Sequence, residues 1–97
     1  AIFIGPVDLR AQMRDAEGND PTPEAHEAMI QRVIAAGKKV GTPTGIHCMD
    51  VAGAKMRADQ GMQFLAVGSE LKLMTVKAQE VVSELWPDGE AKDIARY

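Results

Sequence analysis

Apolar and polar positions along this chain fall into repeating blocks, and the blocks alternate between two periods. The first block is Ala1-Ile2-Phe3-Ile4, four apolar residues of which two are β-branched, followed by Gly5-Pro6-Val7-Asp8-Leu9. A short, continuous apolar run that ends at a turn signal predicts a buried strand. A carboxylate, Asp8, falls where the run stops, so the strand delivers an acid to its carboxyl end, the end at which α/β folds keep their chemistry. From Arg14 to Pro21 the chain is polar and broken by Gly, Asn and Pro, which predicts a loop. A helix follows, with Thr22 as N-cap, Pro23 in the first helical position, and Glu24 and Glu27 near the positive end of the dipole. Ala25, Ala28, Met29, Arg32, Val33 and Ala36 give that helix its stripe, and Gly37 is placed to stop it. His26 lies among the charged residues of the first turn and reads as a solvated helix residue.

The pattern then repeats. Residues Lys38 to Gly45 read as a second, short strand ending in a Gly/Thr/Pro-rich loop. Glycines there let a ligand approach the backbone, and the hydroxyls of Thr42 and Thr44 can donate to an anion; the same residues also describe a plain βα turn. From Met49 or Asp50 to Gln60 a helix is predicted, capped by Asp50, stopped by Gly61, and striped by Val51, Ala54 and Ala58. Gly61 to Ser69 carries the third apolar strand. Ala78, Val81, Val82 and Leu85 mark the third helix, closed by Trp86. Pro87-Asp88-Gly89 reads as a turn, and Glu90 to Tyr97 as two helical turns with Ile94 and Tyr97 as apolar contacts. Three successive βα units predict an α/β fold with a parallel sheet. Strands this apolar belong to a sheet covered on both faces, which three strands do not manage alone. The unit length is near the roughly 30 residues of a (β/α)8 TIM barrel, so the chain reads as a partial barrel, about three of eight units. A small open α/β domain that pairs with itself is the alternative.

Composition narrows the partners. With 97 residues, 45% hydrophobic and 26% charged, the chain is one small globular domain or part of a larger one. A net charge of -3, with basic residues scattered, argues against a nucleic-acid groove or an anionic membrane as partner. A single cysteine, Cys48, forms no internal disulfide, and the expected compartment is the cytoplasm. His47 beside Cys48 invites a metal reading, but two potential ligands without a second pair fall short of a zinc site. No apolar run approaches the roughly 18 residues of a membrane span, and the start lacks a signal-peptide layout. A first residue that is not Met, with a core strand directly after it, leads us to expect further sequence upstream.

Three stretches then carry a resemblance: Ile2-Phe3-Ile4-Gly5-Pro6-Val7-Asp8-Leu9, Ala36 to Gly45, and Phe64-Leu65-Ala66-Val67-Gly68-Ser69. In order and spacing the chain, from Ile2 to about Met74, resembles the carboxyl-terminal portion of the 4-hydroxy-2-oxoheptanedioate and 2-dehydro-3-deoxyglucarate aldolases, metal-dependent pyruvate aldolases on a βα barrel. The resemblance implies the carboxyl-terminal three βα units of such a barrel. It also implies a carbon–carbon lyase that cleaves a 4-hydroxy-2-oxo acid to pyruvate and an aldehyde through a metal-bound enolate. It makes Asp8 a ligand of a divalent ion (Mg, Mn or Co) and puts Val7 against the substrate. The chemistry is consistent: a hard cation chelated by carboxylates acts as Lewis acid on the 2-oxo acid, and the bend at Gly5-Pro6 offers main-chain N–H donors at Val7 and Asp8 to its carboxylate. Thr42 and Pro43, read as the end of the next strand, are expected to face the same mouth and shape the pocket for the aldehyde. The remaining carboxylate ligand, the basic residue and the proton-moving histidine of that family belong upstream, so no catalytic residue is expected in this chain, and Glu70 reads as a solvated helix start. The resemblance further implies a homo-oligomer in which the final helices, about residues 75–97, make the contacts. The competing class is a non-catalytic α/β module for assembly or small-anion binding through Gly41 to Gly45 and Gly68-Ser69.

Overall fold

In the computed structural model, which describes residues 1–87, three strands lie side by side and parallel, and each is followed by helix. The order along the chain is β1 (Ile2–Ile4), α1 (Pro6–Gln12), α2 (Pro23–Val40), β2 (Thr44–Cys48), α3 (Val51–Asp59), β3 (Phe64–Val67) and α4 (Glu70–Leu85). In the sheet the order is β1-β2-β3, with Phe3 level with Gly45, Gly45 with Phe64, and His47 with Ala66. The α/β expectation with a small parallel sheet is thus met. The predicted turn at Asp88-Gly89 and the tail from Glu90 to Tyr97 lie outside the described residues.

Local chemistry sets the helix starts. Thr22 Oγ1 accepts from the Ala25 N–H at 3.2 Å, Asp50 Oδ1 from Gly53 at 2.7 Å, and Ser69 Oγ from Lys72 at 3.2 Å, each satisfying a first-turn donor that has no intrahelical partner. Between α1 and α2, Asp15 gathers its loop by accepting from the main-chain N–H of Glu17 and Asn19 and from the Asn19 amide.

Several boundaries differ from the sequence reading. Pro6 does not only bend the chain: it occupies the first position of α1, where its missing N–H costs nothing. Gly37 does not stop α2. It lies against β2, where a side chain would meet the Thr44 methyl and the Thr42 carbonyl, and the helix continues to Val40 until Gly41 at φ 67° turns it off, with Thr42 N–H donating to Gly37 O at 2.9 Å. The second strand is therefore not Lys38 to Gly45 but Thr44–Cys48, and Thr42 and Pro43 precede it. The buried stripe of α2 is also rotated from the expected one: it consists of His26, Ile30, Ile34 and Gly37, with Val33 beside it, whereas Ala25, Ala28, Arg32 and Ala36 are exposed.

Side-chain alternation divides the sheet into two unlike faces. Ile4, Ile46 and Cys48 point to one face and pack with Ile30 and Ile34 of α2 and with Met62, flanked by Leu9, Ala54 and Leu65; this is the core. Arg57 of α3 reaches Glu27 of α2 through two hydrogen bonds of 2.7 Å and binds the two helices together over that face. The opposite face carries Phe3, Gly45, His47, Phe64 and Ala66, and no helix among the described residues covers it. There Phe3 is 47% and Phe64 59% exposed, and their rings meet edge to face with centroids 5.4 Å apart. Gly45 between them has no room for a side chain, since a Cβ would stand 2.8 Å from that of Phe64.

α4 leaves this assembly. It buries none of its residues, and Leu71, Leu73, Met74, Val76, Val81, Val82, Leu85 and Trp86 are all exposed. Its hold on the rest is the Ser69 cap and a hydrogen bond from Lys72 Nζ to Met49 O at 2.9 Å. The radius of gyration, 17.6 Å, exceeds the roughly 12 Å of a compact chain of this size. This helix does not pack on the chain's own sheet. No helix among the described residues is long and apolar enough to cross a membrane.

Candidate active site

The carboxyl ends of the three strands bring together Gly5 to Asp8 after β1, His47 and Cys48 at the end of β2, and Gly68-Ser69 after β3. Gly5 is extended (φ -86°, ψ 105°), so it continues the alternation of β1 and turns its open side to the bare face. The Asp8 carboxylate fills that opening. Its Oδ2 stands too close to the place of a Cβ on residue 5 for both to fit, so a side chain there displaces the acid. Asp8 is exposed and, among the described residues, enters no ion pair. Val7, beside it, is 77% exposed.

Two histidines brace this end of the sheet. His26, which the sequence reading placed in solvent, is buried, and its Nε2 lies 2.9 Å from Pro6 O. A carbonyl only accepts, so Nε2 carries the proton and donates. The bond pins the first turn of α1, and Asp8 with it, to α2. The signal was present in the spacing of His26, Ile30 and Ile34 at i, i+4, i+8, which puts the ring on the core stripe. His47 is half-buried on the bare face, and by the same reasoning its Nε2–H donates to Gly68 O at 2.7 Å. The Gly68 N–H in turn donates to Cys48 O at 2.7 Å, so β2 and the turn after β3 are joined twice. One residue beyond the Ile4–Ile46 pair, the register sets Gly5 beside His47. Asp8 and His47 therefore stand over adjacent strands, on one face.

Cys48 points the other way, into the core, and burial pushes its thiol up from the usual cysteine range, which leaves it protonated and inert. Neighbouring residues of a strand cannot share a ligand, so His47 and Cys48 form no metal pair. Among the described residues no three His, Cys, Asp or Glu side chains converge on one point.

The placement of Thr42 and Pro43 at the site mouth is corrected by the strand register. They stand at the amino-terminal end of β2, where Pro43 O accepts from Ile2 N–H at 2.8 Å, with the length of the strand between them and Asp8. Together with Lys38, Thr44, Gly61 and Gln63 they line a cleft of about 260 Å³ at that far end. The main-chain N–H groups of Gly41, Thr42, Gly61 and Gln63 are all spent on neighbouring carbonyls, so an anion in this cleft would be met by side chains such as Lys38, whose Nζ gives one of its three N–H groups to Gln60 O at 3.0 Å.

Comparison with known proteins agrees with the motifs. No protein-family model matches the chain. It is 32% identical over 84 residues, 87% of its length, to a hydroxypyruvate/pyruvate aldolase of Paraburkholderia phytofirmans, of which that segment is 32%. A protein of the same name from Chromohalobacter salexigens is 36% identical over 83 residues, 86% of this chain and 32% of that protein. A 5-keto-4-deoxy-D-glucarate aldolase of Klebsiella pneumoniae is 38% identical over 80 residues, 82% of this chain and 30% of that one. The chain spans about a third of the length of the curated relatives it matches. Over most of its own length, then, the chain is similar to one portion of the aldolases whose family its Gly5-Pro6-Val7-Asp8-Leu9 and Val67-Gly68-Ser69 elements resemble.

Proposed function

We propose that this chain forms the carboxyl-terminal three βα units of a (β/α)8 barrel and supplies part of the active site of a pyruvate-dependent aldolase. The observation that carries the reading is the Asp8 carboxylate, held over Gly5 at the carboxyl end of the sheet on its uncovered face. In a barrel that face is the interior and that end is the mouth. Two open sheet edges and the exposed Phe3 and Phe64 favour the same reading, because parallel sheets are covered on both faces.

The reaction breaks the C3–C4 bond of a 4-hydroxy-2-oxo acid. The C4 hydroxyl loses its proton and becomes the aldehyde; the bonding pair moves to C3, giving the enolate of pyruvate, which takes up a proton at C3. Asp8 fits a divalent cation such as magnesium, manganese or cobalt in kind, being a hard, exposed oxygen donor with no ion pair among the described residues, but it is a single carboxylate, and the other ligands would come from outside those residues. Such an ion supplies, when bound, positive charge against the oxygens of the 2-oxo acid. Val7 offers a first-turn main-chain N–H, one of those without an intrahelical partner, to the substrate carboxylate. His26 holds the turn that carries both. The groups that move protons belong to the rest of the site. The exposed apolar side of α4 fits a second copy of the chain, making the enzyme a homo-oligomer whose small-molecule partners are a 2-oxo acid and an aldehyde.

The test is pyruvate release by the full product of the reading frame, with magnesium, manganese or cobalt and with a chelator. Asp8→Ala is expected to lose more than the roughly 10² to 10³ in rate that one oxyanion donor is worth. Asp8→Asn keeps one oxygen without the charge and should recover in part at high metal concentration. Full activity in Asp8→Ala, or activity indifferent to the chelator, would falsify the proposal.

A further inference from the structure

We infer that His47 is a specificity-determining residue of this site, which accepts a hydrogen bond from a hydroxyl on the aldehyde half of the substrate; the inference rests on the aldolase reading above. The position follows from the register. Phe3, Gly45 and Phe64 form one level of the bare face, with the two rings meeting over the glycine. His47 and Ala66 form the next level toward the mouth, and extending the register one residue past the Ile4–Ile46 pair brings Gly5, with its overlying Asp8 carboxylate, to the same level on the neighbouring strand. The aromatic pair is thus a floor, Asp8 marks the end where the 2-oxo acid is held, and the imidazole is the polar side chain one strand across. A substrate that reaches from Asp8 over the floor brings C4 and the atoms beyond it to His47.

The hydrogen bonding fixes what the ring presents. Nε2–H is committed to Gly68 O at 2.7 Å, so in the neutral ring Nδ1 carries the lone pair. No ion pair joins His47 to Asp8 among the described residues, and Nδ1 has no hydrogen-bond partner among them. A ring held by one nitrogen and half-buried, with the other nitrogen bare, is an acceptor of fixed direction. It suits a hydroxylated aldehyde and leaves an apolar one with an unpaired acceptor, the arrangement by which a polar site discriminates most strongly.

The experiment runs in the synthetic direction with the full reading-frame product, pyruvate, and either glyceraldehyde or propanal, and reads the ratio of the two kcat/KM values. That ratio does not depend on how much enzyme is folded, so loss of the Gly68 bond does not confound it. His47→Leu should lower the preference for glyceraldehyde roughly 5- to 30-fold, chiefly through its KM, while the metal concentration giving half-maximal rate stays as in the wild type. His47→Gln, whose amide can both donate to Gly68 and accept, should retain at least half of the preference. An unchanged ratio in His47→Leu, or equal losses on both aldehydes, overturns the inference. Asp8→Ala separates the two levels of argument: if it is inert and His47→Leu leaves the ratio alone, only the role of His47 fails, whereas a fully active Asp8→Ala removes the site reading, and the His47 inference with it.

Discussion

The two faces of the sheet share strands and register, yet one is a core and the other is not. On the helix side Ile4, Ile46 and Cys48 are buried under Ile30 and Ile34, and the Arg57–Glu27 bonds fasten the covering helices together. On the other side the larger Phe3 and Phe64 remain about half exposed. A parallel sheet is ordinarily covered on both faces. The covered face is where this chain stabilises itself; on the barrel reading proposed above, the bare face, with Asp8 and His47 at its upper rim, is the one the rest of the barrel would enclose.

The sharpest way to break that division is at Gly5. Gly5→Ala adds one methyl group on the bare side, where Asp8 Oδ2 already stands, so it should displace the carboxylate and cost roughly 10²-fold or more in pyruvate release while the thermal transition barely moves. A variant as active as the wild type would show that the placement of Asp8 is incidental. Next in size is a matched pair of truncations. Ile30→Ala, at a site 1% exposed, should cost about 2–5 kcal/mol wherever it is made. Phe3→Ala should cost under about 1.5 kcal/mol in the 97-residue chain but about 3–5 kcal/mol in the full product, if the remaining barrel covers the ring. Denaturant melts of the two variants in both contexts decide this, and equal costs for Phe3→Ala would mean the face stays bare. The smallest effect is on the covered side. The Arg57 guanidinium holds the Glu27 carboxyl down at about 2, from an ordinary 4.5. A depressed carboxylate stabilises the fold fully above its unfolded value, and the contribution fades as pH falls from 4.5 through about 2. Glu27→Gln should flatten the stability profile in that window alone, since the pair is partly exposed and screened; parallel profiles for wild type and variant would contradict it.

Two helix caps were legible, and so was the third strand, because each depends on a few neighbouring residues: Thr22 and Asp50 bond within their own first turns, as does Ser69, which was read only as the end of the third strand. Asp8 was legible for the same reason, as the acid at the end of an apolar run. What failed was decided by contacts distant in sequence. Gly37 looks like a helix stop from its neighbours, but its role is to let α2 approach Thr44, and the misplaced stop started β2 six residues early and carried Thr42 and Pro43 to the wrong end of the sheet. His26 looks solvated among Glu24 and Glu27 until Pro6 O, twenty residues away, is set against its ring. His47 was weighed only as a partner for Cys48, whereas strand alternation already put the two on opposite faces. The helix at Pro6–Gln12 was missed because seven residues give too little periodicity to read.

Binding of manganese to the full product of the reading frame, followed by electron paramagnetic resonance, tests the central claim without relying on turnover. The account predicts one tight site per chain in the wild type, weakened about 100-fold or more in Asp8→Ala and less in Asp8→Asn, with Ile30→Val binding as the wild type does. Equal manganese affinity in the wild type and Asp8→Ala would contradict it.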